Sequence, residues 1–210
     1  QVFNSDDLLT NKAKLAPYQK RNIKKNISQH LMLRKLELKE YDYLNLKKYA
    51  KKMKIDFIVS VFDEKSLDFF EKNLKCKILK IPSGEITNFF LLKKINYKKY
   101  NIILSTGMSN LLEIKNALNL IAKTKIYYFK KKKISIKNKK KLLDFRKKVF
   151  LLHCVSDYPA VDNFLNLNCI KTLSNKFGLI TGFSDHSKGF LASSISVAIG
   201  AKIIEKHFTL

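Results

Sequence analysis

Arginine is scarce in this 210-residue chain: Arg21, Arg34 and Arg146 stand among 42 basic residues, against 17 acidic ones. The formal net charge of +25 is therefore carried almost wholly by lysine. Lysine is a point charge, whereas bidentate reading of phosphates and guanines favours arginine. The lysines are also spread along the chain beside abundant Asn and Ile. They read as solvated faces, and no nucleic-acid partner is expected. An acidic or phosphorylated small substrate would still gain from the field. Cysteine is scarce too. Cys76, Cys154 and Cys169 show no CxxC spacing, and an odd number argues against a disulfide framework and for a reducing cytoplasm. No apolar run approaches the length of a membrane span and no secretory signal is recognised, so no membrane partner is expected. Opening on Gln1 and stopping just behind an apolar run, the sequence reads as a piece cut from a longer protein.

What the chain does have is 46% apolar residues and 15 Phe, enough to bury a substantial core as one domain over 1–210. From residue 40 onward apolar runs alternate with amphipathic stretches. Strands are expected at Asp56–Val61, Lys77–Pro82, Asn101–Ser105, Val149–Cys154, Leu179–Phe183 and Ala201–Phe208. Helices are expected near 40–53, 64–74, 87–97, 110–124, 163–177 and 189–199. Strands followed by single helices imply parallel β/α units with right-handed crossovers. A (β/α)8 TIM barrel truncated on its N-terminal side is one architecture that fits, and an open doubly wound sheet is its competitor. Residues 1–39 read as a polar loop with a short helix near 28–36. Residues 127–146, with lysine runs at 130–133 and 139–141, read as an irregular, solvated surface insertion.

The polar signatures collect where these strands end. Lys80–Glu85, Ser105–Met108, His153–Pro159, Phe183–Ser187 and Glu205–His207 each follow an apolar run. In parallel β/α proteins the ligand site lies at the carboxyl ends of the strands, so the pattern points to an enzyme-like site. Small residues at Ser83, Gly84, Ser105, Gly107 and Ser184 let backbone N–H groups and hydroxyls approach an anion, and Lys80 supplies a compact charge. Each Ser-Gly or Thr-Gly pair taken singly is also an ordinary strand-to-helix turn. Glu85 suits a general base, a hydroxyl acceptor or a first-turn helix acid. Asp185 suits a partner for His186 or a helix cap. Tyr158 suits a substrate contact or a packing anchor. His186 and His207, two of only four histidines, would emerge at one sheet end if their strands are parallel neighbours. Such a pair suits either a shared metal ion or two hydrogen-bonded strand-end histidines. His153 reads as structural, and His30 carries no functional reading.

Five segments then take on a joint meaning: KIPSGEITNFFLLKKI, NIILSTGMSNLLEIKNAL, LLHCVSDYPA, FGLITGFSDHSKG and VAIGAKIIEKHFTL. In order and spacing, over roughly 31–210, they resemble the N-acetylneuraminate (sialic acid) synthase family. The resemblance implies a transferase that condenses phosphoenolpyruvate with an N-acetylated hexosamine such as N-acetylmannosamine and releases phosphate. It also implies a TIM barrel of which strands 3 to 8 are present, a divalent metal (Mn²⁺ or Mg²⁺), and a homodimer completed by a C-terminal antifreeze-like domain. The implied metal ligands are His186 and His207. Phosphoenolpyruvate contacts fall on Lys80, Ser83, Ser105 and Ser184, with Glu85 and Tyr158 near the amino-sugar. Catalytic roles fall on Glu85 and Lys80. Ser60, where family members often have Thr-Pro in place of Ser60-Val61, and Ser156, where many have Asn or Ser, are further substrate-contact candidates. Another phosphoenolpyruvate-condensing sugar-acid synthase and an inactive fragment are the alternatives.

Overall fold

The computed structural model describes residues 1–23, 27–125 and 136–208, the side chains of 136–138 excepted. Within these residues the chain forms two units, Gln1–Lys80 and Ile81–Leu210. In the first unit three short helices, α1 (Ser5–Leu8), α2 (Pro17–Ile23) and α3 (Gln29–Arg34), fill the stretch read as loop, and α3 lies where a helix was expected. Asp6 and His30, 2.6 Å apart, tie α1 to α3. The longer helix α4 (Glu40–Lys52) leads to β1 (Val59–Ser60). Next comes α5 (Glu64–Phe69), capped by the Asp63 carboxylate, which accepts from the Ser66 amide at 2.6 Å. A π-helical turn, Phe70–Leu74, continues α5 and buries Phe70 and Leu74. Strand β2 (Ile78–Ile81) pairs with β1 in parallel, Val59 against Leu79 and Ser60 against Lys80.

The second unit carries most of the polar clusters. After a 3-10 turn, Ser83–Glu85, it runs α6 (Phe89–Lys94), β3 (Asn101–Ser105), α7 (Leu111–Ile121), α8 (Ile136–Arg146) and β4 (Val149–Cys154). It ends with α9 (Cys169–Phe177), β5 (Thr181–Asp185), α10 (Leu191–Ala198) and β6 (Ile204–Lys206). Strands β3 to β6 pair in chain order, every pair parallel. Helix α7 forms because Ile114, Ala117, Leu118 and Ile121 recur at helical spacing and are buried. Its start is fixed by a reciprocal cap: Asn110 accepts from the Glu113 amide, and Glu113 accepts from the Asn110 amide. Helix α9 likewise buries Ile170, Leu173 and Phe177. Strand β5 is buried at all five positions, as a parallel strand covered on both faces should be. A Cβ on Gly182 would overlap the Ile203 carbonyl, so glycine is what lets β5 approach the chain entering β6.

Strands β3 and β4 have the limits expected from sequence, whereas β1 (Val59–Ser60) and β6 (Ile204–Lys206) are shorter than the expected Asp56–Val61 and Ala201–Phe208, and further segments differ as well. Strand β5 begins and ends two residues later than expected, so Ser184 and Asp185 are ladder residues rather than loop. Helix α9 starts at Cys169 because Asp162–Phe164 is a 3-10 turn and Asn166 has φ +46°. Residues 136–146 form helix α8 and not irregular chain. Its anchor is Phe145, fully buried and edge-on to Tyr97 with ring centroids 5.0 Å apart. Lysines 139–141 ride on this helix, while the 130–133 run lies outside the described residues. No described helix is long and apolar enough to cross a membrane.

His153 is structural, as expected. It is buried, stacks on Phe183 with ring centroids 5.8 Å apart, and its Nε2 bonds the Leu165 carbonyl at 2.7 Å. Burial pushes its pKa below the ordinary 6.5, only partly offset by the Leu165 bond. Between the lowered folded value and 6.5 the unfolded chain binds more protons, so stability rises with pH there. The contribution is complete above 6.5 and is lost as pH falls below it. Melting temperatures across pH 5 to 8 should therefore drop on the acid side, and His153→Gln should flatten that drop. An unchanged slope in the variant would refute this source.

Candidate active site

The register of β5 and β6 builds the centre of the site. Ser184 faces Glu205 and Asp185 faces Lys206 across the pair. Because strand side chains alternate, Ser184, His186, Glu205 and His207 share one face, and Asp185 and Lys206 share the other. The two imidazoles stand with ring centroids 5.5 Å apart and planes at 60°. Tyr158, from the loop after β4, stacks on His186 at 4.1 Å and meets His207 edge-on at 5.3 Å. The Ser184 hydroxyl donates to Glu205 Oε1 at 2.6 Å and lies 3.2 Å from His186 Nε2.

This contact set fixes the chemistry of His186. Its Nδ1 is 2.5 Å from the Val155 carbonyl, an oxygen that can only accept, so Nδ1 carries the proton. In the neutral ring Nε2 is then the basic nitrogen, turned toward Ser184. A histidine that donates one N–H to a backbone carbonyl and offers the other nitrogen is oriented as metal-binding histidines are. Two imidazoles with a carboxylate on the same face form an N/O donor set that suits a divalent cation. Among the described residues no group of three or more His, Cys, Asp or Glu is arranged as a metal cage. The residues present fit a two-histidine site with open coordination positions.

Behind this face Asp185 is almost fully buried. Burial raises its pKa, but bonds from Ser193, Lys206 and Ser187 outweigh that and hold the carboxyl below the ordinary value, ionised.

A second cluster surrounds Gly107, in the turn after β3. A Cβ placed there would lie 2.5 Å from Ser83 Cβ, 2.6 Å from Ser83 Oγ and 2.8 Å from Ser156 Oγ. Two serine hydroxyls thus converge on a bare backbone at φ +41°. Ser156 Oγ is buried and has no hydrogen-bond partner among the described residues. Such an orphan donor is costly unless a ligand satisfies it. Ser105 is buried at the end of β3.

The sequence candidates therefore fall into groups. Ser184, Tyr158, His186 and His207 come together, and so do Ser83 and Ser156. In the first unit Ser60 and the buried Lys80 are opposite one another on β1 and β2. Glu85 is bound by Asn88, whose amide donates to its Oε2 at 2.8 Å while the Asn88 oxygen caps α6. Two features escaped the sequence reading. Glu205 joins the histidine face, and Lys206 pairs with Asp185. Their signal was the period of two along Ile204–Lys206, which becomes legible only once the register with β5 is known.

Parallel β/α units with acid, base and hydroxyl groups gathered at their strand ends define a β/α fold of the kind whose ligand sites lie at the carboxyl ends of the strands. The family model for the NeuB family matches residues 1–210, and the chain belongs to that family. Over all 210 residues it is 43% identical to the N,N'-diacetyllegionaminic acid synthase of Campylobacter jejuni, covering 57% of that protein. It is 40% identical to the enzyme of the same name from Legionella pneumophila, covering 54%. The chain thus spans about half the length of the curated relatives it matches. Among solved structures, the N-acetylneuraminic acid (sialic acid) synthetase of Leptospira borgpetersenii, in complex with citrate, superimposes with a TM-score of 0.71 at 33% identity. That match covers 90% of this chain and 59% of the other.

Proposed function

We propose that this chain is the core of a nonulosonic acid synthase, a transferase joining phosphoenolpyruvate to an N-acetylated hexosamine with loss of phosphate. The observation that carries the reading is the His186–His207 pair on one face with Ser184 and Glu205. In this reading the strands are numbers 3 to 8 of a (β/α)8 barrel, completed elsewhere in a homodimeric, cytoplasmic protein with a C-terminal antifreeze-like domain.

Each group then has a task. His186 Nε2 and His207 would hold Mn²⁺ or Mg²⁺, and a bound divalent ion supplies Lewis acidity for polarising the sugar's open-chain carbonyl. Tyr158, stacked on His186, keeps that ring in place and presents its hydroxyl edge to the sugar. Ser83 and Ser156 donate to phosphate oxygens at the Gly107 turn, and Ser105 extends the anion contacts. Ser184 binds the carboxylate of phosphoenolpyruvate once its hydroxyl turns from Glu205, and Glu85 accepts from a sugar hydroxyl or moves its proton. Carbon 3 of phosphoenolpyruvate attacks the sugar carbonyl. Water adds at carbon 2, and C–O cleavage releases phosphate. Most of the rate gain comes from positioning and charge stabilisation.

The names of the two legionaminic acid synthases support a doubly acetylated sugar. A product with two N-acetyl groups must take both from the hexose, since phosphoenolpyruvate has no nitrogen. The test is a panel of hexoses given to the protein carrying this chain, with phosphoenolpyruvate and Mn²⁺, followed by phosphate assay and mass spectrometry of the product. Phosphate release with a diacetamido-trideoxy hexose or N-acetylmannosamine is expected. A strict requirement for a phosphorylated aldose without an acetamido group would overturn the reading in favour of another sugar-acid synthase.

A further inference from the structure

We infer that Asp185 and Lys206 form a clamp that holds His186 opposite His207, making both positioning residues for the proposed metal site. The ladder of β5 and β6 ends at Asp185 and Lys206, and the histidines follow one residue later along each chain segment. Their spacing is thus set by whatever fastens those last paired residues. Asp185 Oδ1 accepts from the Ser187 amide at 2.8 Å and the Ser187 hydroxyl at 2.7 Å. Asp185 Oδ2 accepts from Ser193 Oγ at 2.6 Å and lies 2.9 Å from Lys206 Nζ. The same ammonium donates to the Ser187 carbonyl at 2.7 Å.

Lys206 therefore bonds the residues on both sides of His186 and is itself the residue before His207. One cation crosses the strand pair and fixes both flanks of one imidazole to the base of the other. Asp185 is spent in doing so: each of its oxygens already meets two donors, which sets it apart from a metal ligand or a proton carrier. The ion pair is also sheltered, with the Asp185 side chain fully buried and that of Lys206 mostly so. Charge-assisted bonds in such a site hold geometry more tightly than exposed pairs do. Ser193, from the first turn of α10, extends the clamp to the helix that follows β5.

This inference rests on the proposed metal site, and the test separates the two. Mn²⁺ affinity is measured by calorimetry on the metal-stripped protein carrying this chain, with melting temperature alongside. Lys206→Met keeps the stem and removes the charge. It is expected to weaken Mn²⁺ binding by about 10- to 100-fold, the usual effect of losing an outer-shell partner. Lys206→Arg, which can still pair with Asp185, is expected to recover most of the affinity. Lys206→Met with a lowered melting temperature but unaltered Mn²⁺ affinity would overturn the clamp and leave the metal site standing. No Mn²⁺ binding by the unsubstituted protein would overturn the metal site itself, and the clamp with it. Should Lys206→Met not fold, Ser193→Ala carries the same test: a smaller affinity loss is expected, and none overturns the clamp.

Discussion

His207→Ala is expected to remove divalent-metal binding and metal-dependent phosphate release from the protein carrying this chain, with little change in melting temperature. The two halves of that result come from different observations. His207 is exposed and stands beyond the end of β6, where substitutions are usually within about 0.5 kcal/mol of neutral. Its functional place is the opposite: it supplies one of two imidazoles 5.5 Å apart. With half of that pair gone, the loss should exceed the roughly 10- to 100-fold that follows from removing a supporting partner. His186→Ala should cost as much function but more stability. It removes the partner of the Val155 carbonyl and the ring on which Tyr158 stacks. Calorimetry with Mn²⁺ and a phosphate-release assay read the first effect, and thermal melts read the second. Full turnover by His207→Ala in metal-depleted buffer would refute the assignment.

That difference between the two histidines could not be read in the sequence, although the pair itself could. Apolar runs ending in His186 and His207 fixed their separation in the chain and suggested neighbouring strands. They did not say that β5 extends through Asp185, and side-chain direction in a strand depends on register as well as on pattern. Hence Glu205 and Lys206, adjacent in sequence and both charged, could not be sorted. The register sends Glu205 to the histidine face and Lys206 to the Asp185 side. Helix boundaries were clearest where apolar spacing and a cap agreed, as at Asn110 and α7. They were obscured where composition overwhelmed periodicity. In α8 a dense set of lysines concealed one fully buried anchor, Phe145. The π-helical turn at Phe70–Leu74 was equally hidden, since its apolar spacing matches an ordinary helix over so short a stretch.

The Gly107 turn yields the second large effect, and it sets stability against function. Gly107→Ala puts a Cβ 2.5 Å from Ser83 Cβ, an atom whose position is set by the backbone and not by rotation of the side chain, so the backbone must shift. A left-handed φ of +41° adds a conformational cost of about 1 kcal/mol for an L-residue. Gly189→Ala is the matched control: φ is +69°, but nothing lies within 4 Å of the new Cβ. Both variants should lose stability through strain, and Gly107→Ala should also raise the KM for phosphoenolpyruvate by disturbing the two serines. Ser156→Ala separates the contributions. Its hydroxyl is buried without a partner among the described residues, and an unsatisfied buried polar group costs about 1–3 kcal/mol. Removing it should leave melting temperature unchanged or higher. If that hydroxyl is held for a phosphate oxygen, removal also forfeits a charge-assisted bond of roughly 1.5–3 kcal/mol. The KM for phosphoenolpyruvate should then rise about 10- to 100-fold, each 1.4 kcal/mol being tenfold. A stabilised Ser156→Ala protein with unchanged KM would mean that the orphan hydroxyl serves no phosphate. A stability gain joined to a binding loss is what a site built to receive an anion predicts, because the polar group that burdens the folded chain is the one the ligand satisfies.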